Sequence, residues 1–166
     1  MVTQVNTNLT APIATGPPEL DMEGMALIKA VGNTPLLPLR RITGDISPDV
    51  KVYAKAEWFN PGGSVKDRPA FNIIRTALFE CHLLPGMRLL DSTSGNMGIA
   101  YATFGAALDI AVTLVMPSNA SSERVAILRV LGAEVVFSDP LEGSDGAILV
   151  ARQMAAEQPE LYYYAN

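Results

Sequence analysis

Lys66 is the residue of this sequence whose surroundings point most directly to chemistry. It follows a turn with the sequence NPGGSV and precedes a helical pattern, so we predict that it lies in the first turn of a helix. The positive end of a helix disfavours an ammonium group, and a neutral amine can attack an aldehyde. The turn therefore predicts a reactive amine, and a surface lysine on a helix is the ordinary alternative.

A second polar loop, with the sequence TSGNMG, runs from Thr93 to Gly98. It lies between an apolar run and a helical pattern, where backbone N–H groups at a helix amino terminus can hold an anion. Ordinary helix capping by its polar side chains is the alternative. Together the two loops predict one site that combines a reactive amine with an anion-binding loop.

Apolar periodicity along the chain alternates between strands and helices. Such alternation implies right-handed crossovers and a parallel sheet, so the predicted fold class is α/β. Sites in these sheets lie at the carboxyl ends of the strands, so we expect both loops to follow strands and to share one edge. We expect Ser64 to cap the helix that carries Lys66. The predicted strands are 36–42, 50–58, 88–91, 110–116, 133–138 and a buried last strand at 162–164, and the predicted helices are 24–30, 64–82, 98–108, 122–131 and 145–156.

The length and composition suit one ordinary domain. The chain has 166 residues, of which 49% are hydrophobic and 17% charged, so it can bury a sizeable core. Residues 1–22 contain several prolines and no periodic apolar face, which predicts a flexible extension. The domain is therefore expected over residues 23–166.

The composition also argues against several functions. A net charge of -5, with the basic residues scattered, argues against a nucleic-acid partner. A single cysteine, Cys81, rules out an internal disulfide, and with the single histidine, His82, it leaves too few ligands for a zinc site, so no metal is predicted. No secretory signal is visible and no apolar run could span a bilayer, which predicts a cytoplasmic protein without a membrane segment.

Three familiar functional motifs do not fit this sequence. A Walker loop needs Ser or Thr after its lysine, where this chain has Asp67. No G-x-G-x-x-G pattern follows the first strand, so dinucleotide binding has no specific support. A Ser-His-Asp triad would have to use His82, at the end of an otherwise apolar helix.

Six short segments occur in the order and spacing of one enzyme family. On these segments the chain resembles the cysteine synthase family, the O-acetylserine sulfhydrylases, and the related cystathionine β-synthases, which are fold-type II enzymes of pyridoxal phosphate. The resemblance runs from about Ala26 to the last residue and corresponds to the amino-terminal half of the family. It implies an incomplete open parallel-sheet αβα sandwich like that of tryptophan synthase β. The segments are GNTPL at 32–36, KAE at 55–57, NPGGSVKDRP at 60–69, TSGNMG at 93–98, Arg124, and GAE at 132–134.

The resemblance implies a role for each matching residue of the site. Lys66 would form the Schiff base with pyridoxal 5'-phosphate and later move the α-proton of the substrate. Asn96 would hydrogen-bond the phenolic oxygen of the cofactor, with helix capping as the alternative. Met97 departs from the family, which usually has threonine there, so a hydroxyl donor is lost while a backbone N–H remains. The residues implied to hold the substrate carboxylate are Thr93, Ser94, Gly95, Asn96 and Met97.

Other charged or reactive side chains are expected to be structural. Asp67 and Arg68 follow the lysine and are predicted to pair elsewhere in the fold. Arg124 is predicted to form a salt bridge on its helix. Cys81 and His82 are expected to take no part in the chemistry.

Two parts of the family's cofactor site fall in the half that this chain does not match. These are a Gly/Thr-rich loop that holds the phosphate and a hydroxyl residue near the pyridine nitrogen. We therefore expect the chain to be a fragment or one part of a split enzyme. By itself it should hold the cofactor weakly or not at all and be inactive.

The resemblance implies β-replacement on O-acetylserine or O-phosphoserine, in which sulfide attacks an aminoacrylate and L-cysteine is formed. One alternative is the condensation of serine with homocysteine, and a second is a non-catalytic partner or regulatory half. The resemblance also implies a homodimer and possible binding of the carboxyl tail of serine acetyltransferase in the active site.

Overall fold

A computed structural model describes residues 22–165 of the chain, with side chains from residue 26 onward. The predicted extension over residues 1–22 therefore lies outside the described residues, except for Met22. The described helices are α1 (Met22–Lys29), α2 (Asp67–Phe79), α3 (Asn96–Ala107), α4 (Ser122–Val130) and α5 (Gly143–Glu157), and a 3-10 turn spans Glu57–Phe59. The strands are β1 (Leu36–Pro38), β2 (Tyr53–Lys55), β3 (Arg88–Ser92), β4 (Ala111–Pro117), β5 (Glu134–Ser138) and β6 (Tyr162–Tyr164).

Four strands form one parallel sheet in the order β5-β4-β3-β6. Central strand β4 is apolar and buried along most of its length, as expected for a strand covered on both faces. Alternate residues point to opposite faces, so Leu89 belongs to the core beneath α2, α3 and α4, while Leu90 packs with α5. The predicted α/β fold with an αβα sandwich is confirmed.

The first two strands differ from the prediction. β1 and β2 are three residues each and pair antiparallel in a separate two-stranded sheet, with Leu36 opposite Lys55. No helix lies between them, so the parallel pairing that a helical crossover would allow is not available. The prediction that the lysine turn follows a strand at the edge of the main sheet is therefore wrong; the turn follows the 3-10 turn instead.

Helix α2 begins later than predicted, at Asp67 rather than Ser64. Its apolar stripe is confirmed, because Ile74 and Ala77 are buried while Phe71 and Leu78 pack against the same core. Strand β6 is half-buried rather than buried, since within the described residues it pairs only with β3, at the edge of the sheet.

Candidate active site

Lys66 is the N-cap residue of α2, and its side chain is exposed. The helix starts there because the Lys66 carbonyl accepts the first helical hydrogen bond, from the Ala70 N–H at 3.0 Å. The prediction that Ser64 caps this helix is wrong, because the N-cap residue is Lys66. The Ser64 hydroxyl instead accepts a hydrogen bond from the Lys66 N–H at 3.2 Å, which orders the backbone directly before the helix.

The side chain of Asn60 stabilises the lysine turn, which we define as the segment 60–66, by hydrogen bonds to its backbone and to the residues before it. It is 4% exposed, and its amide donates to the Ser64 carbonyl at 3.0 Å and to the Glu57 carbonyl at 2.7 Å. Its side-chain oxygen accepts a hydrogen bond from the Gly32 N–H at 2.9 Å. One buried amide thus closes the turn on itself and ties it to the loop that precedes β1, so Asn60 shapes the lysine turn.

A bidentate ion pair fastens the start of α2 to the 3-10 turn. Arg68 donates through Nε and Nη2 to the two carboxylate oxygens of Glu57, at 2.8 and 2.9 Å. Thr34 donates its hydroxyl to Glu57 at 2.9 Å, and Asn60 donates to it at 2.8 Å. The hydrogen bonds from Arg68 and then Asn60 lower the pKa of Glu57 from 4.5 to about 2, so the acid stays ionised. The predicted pairing of Arg68 elsewhere in the fold is thereby located.

The second loop connects β3 to α3 through residues 93–95. Gly95 is the N-cap residue of α3 and Asn96 is the first helical residue, so the predicted alternative of a capping asparagine does not describe this helix. The Asn96 side chain is exposed and makes no hydrogen bond within the part of the chain that the structure describes. The first N–H groups of α3 have no acceptor inside the helix, as at every helix amino terminus. This end of α3 is thus able to receive an anion.

The side chains of this loop differ in their burial and in the hydrogen bonds that they already make. The Thr93 hydroxyl accepts a hydrogen bond from the Gly95 N–H at 3.3 Å, which shapes the loop itself. Ser94 is half-buried. The Met97 side chain is partly buried against the core and carries no hydroxyl, so its backbone N–H is the donor that it can offer in this loop.

Arg124 corrects one prediction from the sequence. Instead of the expected salt bridge, which does not occur among the described residues, its Nη1 donates to the Ser94 carbonyl at 3.4 Å. This contact links α4, from the neighbouring βα unit, to the loop that precedes α3. Sequence periodicity could not reveal it, because the acceptor is a backbone carbonyl far away in the sequence.

The two loops are brought into one structure by the helices that they begin. α2 and α3 pack together, with the rings of Phe71 and Phe104 at a centroid distance of 5.6 Å. No hydrogen bond within the described residues joins the lysine turn directly to the loop at 93–97. An exposed primary amine at one helix start and free N–H groups at the other fit the aldehyde of pyridoxal phosphate and the carboxylate of an amino acid, respectively.

The remaining reactive side chains lie apart from these loops. Cys81 is exposed and unpaired, and His82 Nδ1 lies 3.5 Å from a Glu80 carboxylate oxygen. Within residues 22–165, no group of three or more His, Cys, Asp or Glu side chains is placed to hold a metal ion. None of the described helices is long and apolar enough to cross a membrane.

Sequence relatives of the chain are cysteine synthases. The family model described as pyridoxal-phosphate dependent enzyme matches residues 27–166. A cysteine synthase from Aquifex aeolicus is 49% identical over 141 residues, which cover 84% of this chain and 43% of that protein. A cysteine synthase B from Pseudomonas syringae is 39% identical over 138 residues, covering 83% of this chain and 80% of the relative.

Solved structures of a cysteine synthase and of an O-ureido-L-serine synthase also match this chain. A crystal structure of cysteine synthase from Entamoeba histolytica matches with a TM-score of 0.81 at 34% identity, covering 99% of this chain and 46% of that one. O-ureido-L-serine synthase matches with a TM-score of 0.75 at 36% identity, covering 84% of this chain and 42% of that one. The chain thus spans less than half the length of the Aquifex relative and of both solved structures.

The resemblance to the amino-terminal part of the cysteine synthases is therefore confirmed, as is the fold that it implies. The family match includes both loops, the main sheet and helices α2 to α5. Pyridoxal phosphate is the cofactor of this family. The chain belongs to the family of pyridoxal-phosphate dependent enzymes.

Proposed function

We propose that the complete protein is a cysteine synthase, which replaces the β-substituent of O-acetylserine or O-phosphoserine with sulfide to form L-cysteine. The observation that carries this proposal is the exposed amine of Lys66 at the start of α2, on a turn that Asn60, Glu57 and Arg68 hold from beneath. The relatives described as cysteine synthases support the reaction. A lysine-to-alanine mutant of O-ureido-L-serine synthase with O-ureido-L-serine bound is also a structural relative.

Lys66 would hold the cofactor and then act on the substrate. When bound, pyridoxal phosphate supplies an aldehyde that condenses with an amine, releasing water, and a ring that accepts electrons from the substrate α-carbon. Once the substrate amine has replaced Lys66 on the aldehyde carbon, the freed Lys66 Nζ would take the proton from the α-carbon as acetate or phosphate leaves the β-carbon with the bonding electrons. Hydrosulfide then adds to the β-carbon, and Lys66 returns the proton to the α-carbon.

The loop at 93–97 would hold the other end of the substrate. Its N–H groups at the start of α3, with the Thr93 and Ser94 hydroxyls, suit an amino-acid carboxylate. The exposed amide of Asn96 is free to contact the cofactor ring oxygen. Met97 offers only its backbone, so carboxylate binding would depend on fewer hydroxyl groups than the family pattern gives.

Borohydride reduction in the presence of pyridoxal phosphate, followed by peptide mass mapping, tests the role of Lys66. We expect a pyridoxyl adduct on Lys66 in the complete natural protein, because the exposed amine lies on an anchored turn. Lys66→Ala should abolish the adduct and the activity. Lys51→Ala, at another exposed lysine, should change neither. A complete protein that carries no adduct on Lys66 would refute the proposal.

The alternatives are separated by the choice of substrates. Assays of the complete protein with sulfide and with homocysteine distinguish cysteine synthesis from cystathionine formation. A non-catalytic partner would turn over neither, and the retained, exposed Lys66 argues against it. The homodimer, the serine acetyltransferase tail and the cytoplasmic location stay predictions from the sequence.

A further inference from the structure

Asp67 directly follows the proposed cofactor lysine and is fully buried. The buried polar or charged side chains of the described residues are Thr34, Asn60, Asp67, Thr113 and Ser138, and only Asp67 among them is ionisable. Aspartate is rarely buried unless it is paired, because its removal from water is costly. The position of this acid therefore requires an explanation.

The carboxyl of Asp67 lies against Gly62 of the lysine turn. One oxygen, Oδ2, accepts a short hydrogen bond from the Gly62 N–H. The other, Oδ1, is buried and has no partner among the described residues. A Cβ atom added at Gly62 would lie 2.6 Å from Oδ1, so the carboxyl occupies the space that a side chain at 62 would need. Asp67 and Gly62 thus form one closely packed contact.

This contact clamps the lysine turn from its second side. Asn60 joins the turn to Glu57 and Ser64, whereas Asp67 joins Gly62 to the first residue of α2. The backbone of Lys66 therefore lies between two fixed points, Gly62 and the helix. Burial raises the pKa of Asp67, the hydrogen bond from Gly62 opposes that rise, and the charge of Glu57 adds to it. Burial of this carboxyl is unfavourable for its charged form, but it places a hydrogen-bond acceptor next to the Gly62 N–H.

We propose that Asp67 is a positioning residue for Lys66: its carboxyl accepts the Gly62 N–H and fixes the turn from which the lysine amine reaches the cofactor. This inference rests on the proposed function of Lys66. Asp67 is buried against Gly62, so its proposed role requires no contact with substrate or cofactor. It acts by restricting the backbone, which lowers the cost of bringing the amine to the aldehyde carbon.

The variants Asp67→Asn and Asp67→Ala separate this role from general stability. Asparagine keeps a side-chain oxygen that can accept the Gly62 N–H, whereas alanine removes the acceptor and leaves a gap. Ile74→Val and Ile74→Ala serve as controls, because Ile74 is buried in the same helix but packs in the core. Their losses of stability, small for valine and large for alanine, are expected to bracket that of Asp67→Ala.

Two measurements on the complete natural protein test the proposal. The first is hydrogen–deuterium exchange of the segment 60–66 without cofactor, where Asp67→Ala should speed exchange about threefold to tenfold. The second is the rate of borohydride-trapped adduct formation on Lys66, which should fall about tenfold, since small misplacements of a reacting group are costly. Asp67→Asn should stay within about twofold of the wild type in both measurements, and the Ile74 variants should change neither while folded.

Each outcome decides the matter. Wild-type exchange and trapping rates in Asp67→Ala, or equal losses in the Ile74 controls, overturn the proposal. If Asp67→Ala does not fold, Gly62→Ala disturbs the same contact and should slow trapping, and an unchanged rate overturns it. A wild-type protein that traps no adduct at Lys66 defeats the proposed function instead, and the cofactor-free exchange experiment still decides whether Asp67 holds the turn.

Discussion

Glu57 is the common hydrogen-bond acceptor of the residues around the lysine turn. Its carboxylate accepts hydrogen bonds from Arg68, Asn60 and Thr34, which belong to three different segments. A charged acceptor strengthens each of these bonds relative to a neutral one. Glutamine at this position would keep the shape but lose the charge.

The contribution of Glu57 to the stability of the fold is predicted to depend on pH. The pKa of Glu57 is lowered in the folded chain to about 2 from 4.5, so the ionised acid stabilises the fold above pH 4.5. That contribution is lost as the pH falls from 4.5 towards 2. Glu57→Gln should therefore be less stable than the wild type at pH 7, and the difference should shrink below pH 4.5, as measured by urea unfolding at each pH.

A control for the Glu57 prediction is available on the surface. Glu160 is an exposed acid close to the end of the described chain, and Glu160→Gln makes the same chemical change outside the network. Its effect on the free energy of unfolding should be within about 0.5 kcal/mol. A stability difference for Glu57→Gln that stays constant from pH 7 to pH 2 would contradict the role assigned to the ionised carboxylate.

Helix α3 begins directly after the loop at 93–95, so the packing of this helix against the sheet positions the loop. Its buried residues are largely small, and Gly105 approaches β4 so closely that an added Cβ would lie 2.8 Å from the Ile110 carbonyl oxygen. The backbone of the helix therefore rests directly against Ile110, the residue before β4. This close approach sets the distance between α3 and the strand beneath it.

Gly105→Ala is predicted to destabilise the fold by about 1–3 kcal/mol through overpacking. Intrinsic helix propensity alone predicts the opposite, a gain of about 1 kcal/mol. Ala106→Gly, at the exposed neighbouring position of the same helix, measures that propensity directly. Urea unfolding of both variants checks the prediction, and a more stable Gly105→Ala protein would show that the close approach is not constraining.

Most elements could be predicted from the sequence because their signals are local. The stripe of Ile74 and Ala77 identifies α2, and Gly132, with a positive φ of 80°, follows the end of α4, where glycine commonly terminates helices. The pairing of β1 with β2 could not be predicted, since period-2 alternation in 50–58 does not specify the partner strand.

The supports of the site were harder to predict than its reactive residues. An aspartate in the first turn of a helix ordinarily faces solvent near the positive end of the helix, so nothing in the sequence indicates that Asp67 is buried beneath Gly62. The Arg124 contact to the Ser94 carbonyl is equally hidden, because backbone carbonyls leave no trace in a sequence. Sequence motifs therefore indicate the candidate reactive residues, whereas the contacts that position these residues depend on tertiary packing.

The described residues supply only part of the cofactor site that the family resemblance implies. Lys66 and the start of α3 offer an amine and N–H groups for an anion. The chain spans 43% of the Aquifex relative and 46% of the Entamoeba structure. The family resemblance implies that a phosphate-binding loop and a partner for the pyridine nitrogen belong to the remainder.

A polypeptide of these 166 residues should therefore retain pyridoxal phosphate more weakly than a family member of full length. Loss of contacts to the phosphate and the ring nitrogen removes several hydrogen bonds, some of them to a charged group, and should weaken binding at least about a hundredfold. Absorbance titration of both proteins with the cofactor measures the difference. The Lys66→Ala variant of each corrects for non-specific reaction with surface lysines. Equal affinity in the two would mean that the described residues form the complete site.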